Sequence, residues 1–151
     1  MAKTRIEEEG LEDFVPYLMN RITRRYNQMQ KADLRELGLS TNKMRALTSM
    51  AVKGPLTINE LCVHVVAEQP TMSRTIDAME QEGLVSRDIS EDDQRVRMVS
   101  LTTEGREMFE TFWPAMNRTS DRLSEVLNPD EKALMLDMLK RIMKHIRVNP
   151  Y

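Results

Sequence analysis

The sequence predicts a mainly α fold that carries one small β-hairpin. Three observations lead there. Thr57 followed by Glu60 has the spacing of a capping box and opens a short helix, and a second helix follows almost at once, from Pro70 to Gly83. Two β-prone runs, Leu84–Ile89 and Val96–Leu101, then flank the polar stretch Ser90–Arg95, which suits a hairpin tip. Long stretches of helical periodicity bracket this centre, one from Leu11 and one from Thr102. Two short helices joined by a tight turn make a helix-turn-helix, and the hairpin after them makes a winged helix-turn-helix.

Taken in order, residues 1–10 are mostly charged and are expected to fray. Leu11, Phe14, Val15, Leu18, Met19, Ile22, Tyr26 and Met29 then follow one helical face. Pro16 suits a first helical turn, so the helix starts near it and Leu11–Val15 form a preceding turn. Arg21, Arg24 and Arg25 lie on the opposite face and read as solvated charge. Ser40 caps a helix that runs to about Lys53, with Leu39 and Met44 placed as a hydrophobic staple. Gly54-Pro55 stops it, and the strand-like pair Leu56–Thr57 leads into the first short helix.

In that helix Ile58, Leu61, Val65 and Val66 recur at helical spacing. In the second, Met72, Ile76 and Met79 form the apolar stripe, while Thr71, Ser73, Arg74 and Asp77 face elsewhere, and Gly83 ends the helix. After the hairpin, Thr102 or Thr103 caps a long helix with Glu104 near its positive end. Pro114 is expected to kink or interrupt it near Trp113. Asn128-Pro-Asp-Glu131 restarts a last helix, with Leu134, Met138, Leu139, Ile142, Met143 and Ile146 as apolar residues and Lys140 to Arg147 as a basic end.

Composition bounds what such a chain does. At 151 residues it is expected to be a single domain, 1–151. No apolar run reaches the roughly 18 residues of a membrane span, and no signal pattern opens the chain. A single cysteine excludes an internal disulfide framework, so the expected location is cytoplasmic. The net charge of −2 gives nucleic-acid binding no help, and between Pro55 and Gly105 four Lys/Arg stand against ten Asp/Glu. DNA binding must therefore rest on where the few cations sit. No cofactor and no metal site are expected, because His64, His145 and Cys62 form no ligand or nucleophile spacing and five glycines build no phosphate loop. The chain does not read as an enzyme. Cys62 reads as a small core residue beside Leu61 and Val63.

DNA contact is the sharper reading of the centre. Thr71, Met72, Ser73 and Arg74 fall on the first turns of the second helix, the part that enters a major groove. Arg74 suits guanine or a phosphate; Thr71 and Ser73 suit either role. Asp93 lies two residues before Arg95, close enough to orient its guanidinium for a minor groove, and Arg87 and Arg97 on the wing strands add phosphate contacts. The alternative is a winged helix used only for protein–protein contact, which the acidic balance favours.

The quoted residues resemble the MarR (multiple antibiotic resistance regulator) family of transcription factors. The resemblance rests on Gln69-Pro-Thr-Met-Ser-Arg-Thr-Ile-Asp77, on Glu80-Gln-Glu-Gly-Leu-Val85, and on Asp93-Gln-Arg95 ahead of Met98-Val-Ser-Leu-Thr-Thr-Glu-Gly105. It implies a winged helix-turn-helix over 40–101 and dimerisation helices over 11–35 and 102–147, with double-stranded DNA as partner. It also implies a homodimer on a pseudo-palindromic operator and an arginine of the wing in a minor groove, here Arg95. The surplus apolar faces of the first helix and the last two agree with a dimer. Similar proteins take small aromatic or amphipathic effectors between the dimerisation helices and the winged helix, and Met19, Ile22, Tyr26, Met44, Leu47 and Met108 are the candidates for that space. Thirteen methionines suit an adaptable pocket and serve equally well as core filler. Oxidant sensing in some relatives uses a cysteine near the N-terminus, and this chain has none there.

Overall fold

A computed structural model describes residues 4, 10–89 and 97–146. In chain order these form α1 (Val15–Glu36), α2 (Thr41–Lys53), β1 (Leu56–Thr57), α3 (Ile58–Val65), α4 (Gln69–Gln81), β2 (Val85–Ile89), β3 (Arg97–Leu101), α5 (Thr103–Ser124) and α6 (Pro129–Ile146). Most of the opening stretch expected to fray, the hairpin tip and Arg147 lie outside the described residues.

The helix starts follow local chemistry. A turn in which Phe14 N donates to Leu11 O at 3.2 Å precedes α1, with proline in the helix's first turn. Ser40 Oγ accepts from Lys43 N at 3.2 Å and so satisfies one of the orphan donors of α2. The box at α3 is reciprocal: Thr57 Oγ1 accepts from Glu60 N at 3.2 Å, and Glu60 Oε2 accepts from Thr57 N at 2.7 Å. Asn128 does the same for α6, its Oδ1 accepting from Asp130 N and Glu131 N while Glu131 Oε2 accepts from Asn128 N.

Two local expectations are corrected. Val66 is not part of the apolar face of α3: the helix ends at Val65, and Val66 takes a left-handed conformation (φ 59°) that turns its side chain out, 84% exposed. Of the kink or interruption expected at Pro114, the interruption does not occur: α5 continues to Ser124. Pro114 and Glu110, whose carbonyl loses a helical partner there, both lie on the exposed face, which leaves that carbonyl to solvent.

The hairpin gains a third strand. The sheet order is β1-β3-β2, with Leu56 opposite Val99 and Thr57 opposite Met98, and with β2 and β3 in register from Val85–Leu101 to Ile89–Arg97. Thr102 caps α5 by accepting from Gly105 N at 3.0 Å and also donates to Gly83 O at 2.6 Å, which seats the helix on the corner between α4 and β2. Gly105 is required for this fit, since a Cβ there would lie 1.9 Å from Leu84 O.

One core joins these parts. Leu47, Met50, Leu61, Val65, Met72, Ile76, Met79, Val99 and Phe112 are its largest fully buried members, contributed by α2, α3, α4, the sheet and the middle of α5. Above it α1 packs on α5, where buried Gln30 Nε2 donates to Met116 Sδ at 3.1 Å. By contrast α6 buries no residue, and it exposes Leu134, Leu136, Met138, Leu139, Ile142, Met143 and Ile146. Leu11, Phe14, Val15, Leu18, Met19 and Ile22 are exposed as well. Packing within one chain thus covers the lower half of α1 and leaves α6 uncovered. Among the described residues no helix is long and apolar enough to cross a membrane.

Candidate nucleic-acid interface

The inward stripe of α4 dictates its outward face. Met72, Ile76 and Met79 are fully buried, so helical periodicity turns Thr71, Arg74, Asp77 and Gln81 to the surface, all of them exposed. Ser73 is half-buried on the flank. Met72 is therefore corrected as a DNA-contact candidate: it is a core residue, held inward by the same periodicity that exposes its neighbours. Arg74 has no ion-pair partner among the described residues. Glu68 is the N-cap of α4 and its side chain makes no capping hydrogen bond.

The wing is tied to this helix by Arg87. Its Nη1 donates to Glu80 Oε2 at 2.8 Å and its Nη2 to Asp77 Oδ1 at 2.5 Å. The side chain is 25% exposed. Both terminal nitrogens are thus committed to carboxylates, and Arg87 is corrected as a phosphate contact. Lys43 Nζ likewise holds both oxygens of Glu82, at 2.5 and 2.6 Å. Three of the ten acidic groups that weigh against DNA binding, Asp77, Glu80 and Glu82, are thus held in ion pairs inside the module, where two cations offset part of their charge. Arg97 is exposed at the start of β3. Asp93 and Arg95 lie outside the described residues.

Between α1, α2, α3 and α5 lies a cavity of about 370 Å³, lined by Tyr26, Gln30, Met44, Arg45, His64 and Trp113 among others. Arg45 is fixed there, its Nη1 donating to Val65 O at 3.1 Å and its Nη2 to Asn27 Oδ1 at 3.3 Å. Burial raises the pKa of the Tyr26 phenol, and the nearby Arg45 charge offsets part of that rise. Of the residues expected to line an effector space, Tyr26 and Met44 meet here. Leu47 is fully buried in the core, Met108 packs half-buried against it, and Met19 and Ile22 are exposed on earlier turns of α1. Sequence reasoning passed over Arg45, His64 and Trp113, because nothing in their spacing marks a wall shared by three helices. Cys62 is half-buried at the edge of the core, and burial raises its thiol pKa, which disfavours the reactive thiolate. No group of metal-ligating side chains occurs among the described residues.

A buried helix-turn-helix stripe, a free arginine on its outer face and a wing braced against it define a winged helix-turn-helix protein of the DNA-binding class. The family model described as "MarR family" matches residues 39–96. A MarR family transcriptional regulator from Silicibacter pomeroyi is 39% identical, with 98% of this chain and 100% of that one covered and a TM-score of 0.91. A second from the same organism is 36% identical over 89% of this chain and 91% of that one, with a TM-score of 0.85. The HTH-type transcriptional repressor IacR of Pseudomonas putida is 30% identical over 69% of this chain and 62% of its own length. The chain belongs to the MarR family: it is a helix-turn-helix transcriptional regulator and not an enzyme.

Proposed function

We propose that the protein is a homodimeric repressor that holds a pseudo-palindromic operator and releases it when a small aromatic or amphipathic molecule binds. The observation that carries the DNA contact is Arg74, exposed on the outward face of α4 and unpaired among the described residues. A free guanidinium there is placed to donate two hydrogen bonds to a guanine edge, with Thr71 and Ser73 beside it for a base or a phosphate. Arg97 adds a phosphate contact. The spacing of Asp93 and Arg95, and the family resemblance, support a minor-groove contact by Arg95.

The exposed apolar faces of α6 and of the start of α1 support a dimer built from 11–35 and 102–147, with 40–101 as the DNA-binding region. Two-fold symmetry then places the half-sites about one helical turn apart, roughly 10 bp. Repression follows the sign of the relative named a repressor. The cavity beside Tyr26 supports the effector, since it combines apolar walls from Met44 and Trp113 with a fixed Arg45.

The test is binding to DNA upstream of the protein's own gene in the presence of non-specific competitor. Protection of two half-sites on one face of the duplex is the expected result. Loss of all protection under competitor would support the second reading, a module for protein contact alone, which the excess of Asp and Glu between Pro55 and Gly105 favours.

A further inference from the structure

Arg74 and Asp77 stand three residues apart on the outward face of α4, the spacing at which arginine and aspartate side chains of a helix meet and pair. A carboxylate one turn away competes with the operator for a reading arginine. Here the pair is not made. Asp77 Oδ1 instead accepts from Arg87 Nη2, and Arg87 reaches across from β2 with its second terminal nitrogen on Glu80.

The competition between the two arginines for Asp77 has a physical winner. Arg87 is three-quarters buried, and its Nε is fully buried with no partner among the described residues, so the charge relies on the two carboxylates. Stripping a carboxylate from a partly buried guanidinium is costly, and the fork geometry adds strength to the contacts it makes. Arg74 is exposed, and a surface pair at this spacing gains little over its hydrated parts. Asp77 therefore stays with Arg87.

We propose that Arg87 is a positioning residue for base recognition: by holding Asp77 on the wing side it prevents the carboxylate from capturing Arg74, whose guanidinium stays free for the operator. The proposal rests on the reading of Arg74 as a base contact. It makes two carboxylates on a DNA-facing helix compatible with DNA, and it makes the wing a determinant of base preference at a position that Arg87 never touches. Without Arg87, Asp77 turns to Arg74, the next cation on its own helix face, and adds its own repulsion of phosphate.

The experiment selects from a randomised operator library with the full-length protein as wild type, Arg74→Ala, Arg87→Met and Arg87→Met/Asp77→Asn. Comparison of wild type with Arg74→Ala locates the symmetric base position that Arg74 reads. Arg87→Met should relax preference at that same position and lose affinity on the order of tenfold, within what one bidentate base contact is worth. Adding Asp77→Asn should restore the preference although no cation has been restored, an outcome that a merely structural brace does not give. Unrelaxed preference in Arg87→Met, or preference that stays relaxed after Asp77→Asn, overturns the proposal. If circular dichroism shows Arg87→Met unfolded, Arg87→Lys with and without Asp77→Asn takes its place, and failure of Asp77→Asn to sharpen preference there overturns it equally. Should wild type and Arg74→Ala select the same sequences, the reading of Arg74 itself falls, a result distinct from the others, and the proposal falls with it.

Discussion

Gly105→Ala is the sharpest test of how the DNA-binding module is joined to the long helix. The new Cβ would lie 1.9 Å from Leu84 O, 3.0 Å from Leu84 C and 3.3 Å from Leu101 Cδ2. Ordinary contact begins near 3.4 Å, so α5 or the Leu84 backbone must yield by about 1.5 Å. Two of the three atoms are backbone, which cannot rotate away. The same Leu84 carbonyl accepts from Thr102 N at 3.2 Å, so the displacement strains that bond as well. Alanine gains up to about 1 kcal/mol of helix propensity over glycine. Overpacking costs about 1–3 kcal/mol and a weakened hydrogen bond about 1 kcal/mol more, so the clash wins. A net loss of about 2 kcal/mol corresponds to a fall in Tm of about 4–8 °C for a chain of this size. Thermal unfolding at matched protein concentration measures it, and operator affinity should fall with it because the clash sits at the α4–β2 corner. A variant as stable as wild type would refute the close approach.

Thr57→Ala removes the side-chain half of the capping box at α3 and should cost about 1 kcal/mol in urea denaturation. Leu139→Glu and Ile142→Glu on α6 should each weaken dimerisation about 30-fold or more by sedimentation, with loss of operator binding; variants that sediment as wild type would remove α6 from the interface. The folded state holds the Tyr26 proton above the ordinary 10.0 and the Cys62 proton above the ordinary 9.0. It therefore binds more protons than the unfolded chain in that alkaline range, and stability is lost as pH rises through it. Tyr26→Phe should flatten the part of the decline above about pH 10, read from urea midpoints across a pH series.

Much of the fold was legible because it is local. Ser40, Thr57 with Glu60, Thr102 and Asn128 each satisfy donors within three residues, so their spacing alone announces them. The stripe Met72, Ile76, Met79 was legible for the same reason, and it already implied that Met72 points inward. Features that depend on residues distant in sequence were not legible. The pairing of Leu56 with Val99 requires the hairpin to return first, and the pairing of Arg87 with Asp77 and Glu80 requires the corner at Gly83 to set β2 against α4. The cavity beside Tyr26 shows the same limit. Tyr26 and Met44 were found from their helical faces, whereas Leu47 sits one position too deep in α2, and Arg45 joins the wall only because α3 lies across from it.

The seating of α5 on the corner below it turns that helix into a boom. Twenty-two residues at about 1.5 Å each make it about 33 Å long, with Gly105 and Thr102 gripping the α4–β2 corner at one end. A swing of about 5° at the far end carries that corner by roughly 3 Å, nearly one base-pair step along B-DNA. Helical pitch thus translates into an angular tolerance of a few degrees for whatever holds the upper ends of two such booms together. For the proposed dimer, the spacing of half-sites it accepts is then set at the far end of that helix, about 33 Å from the corner.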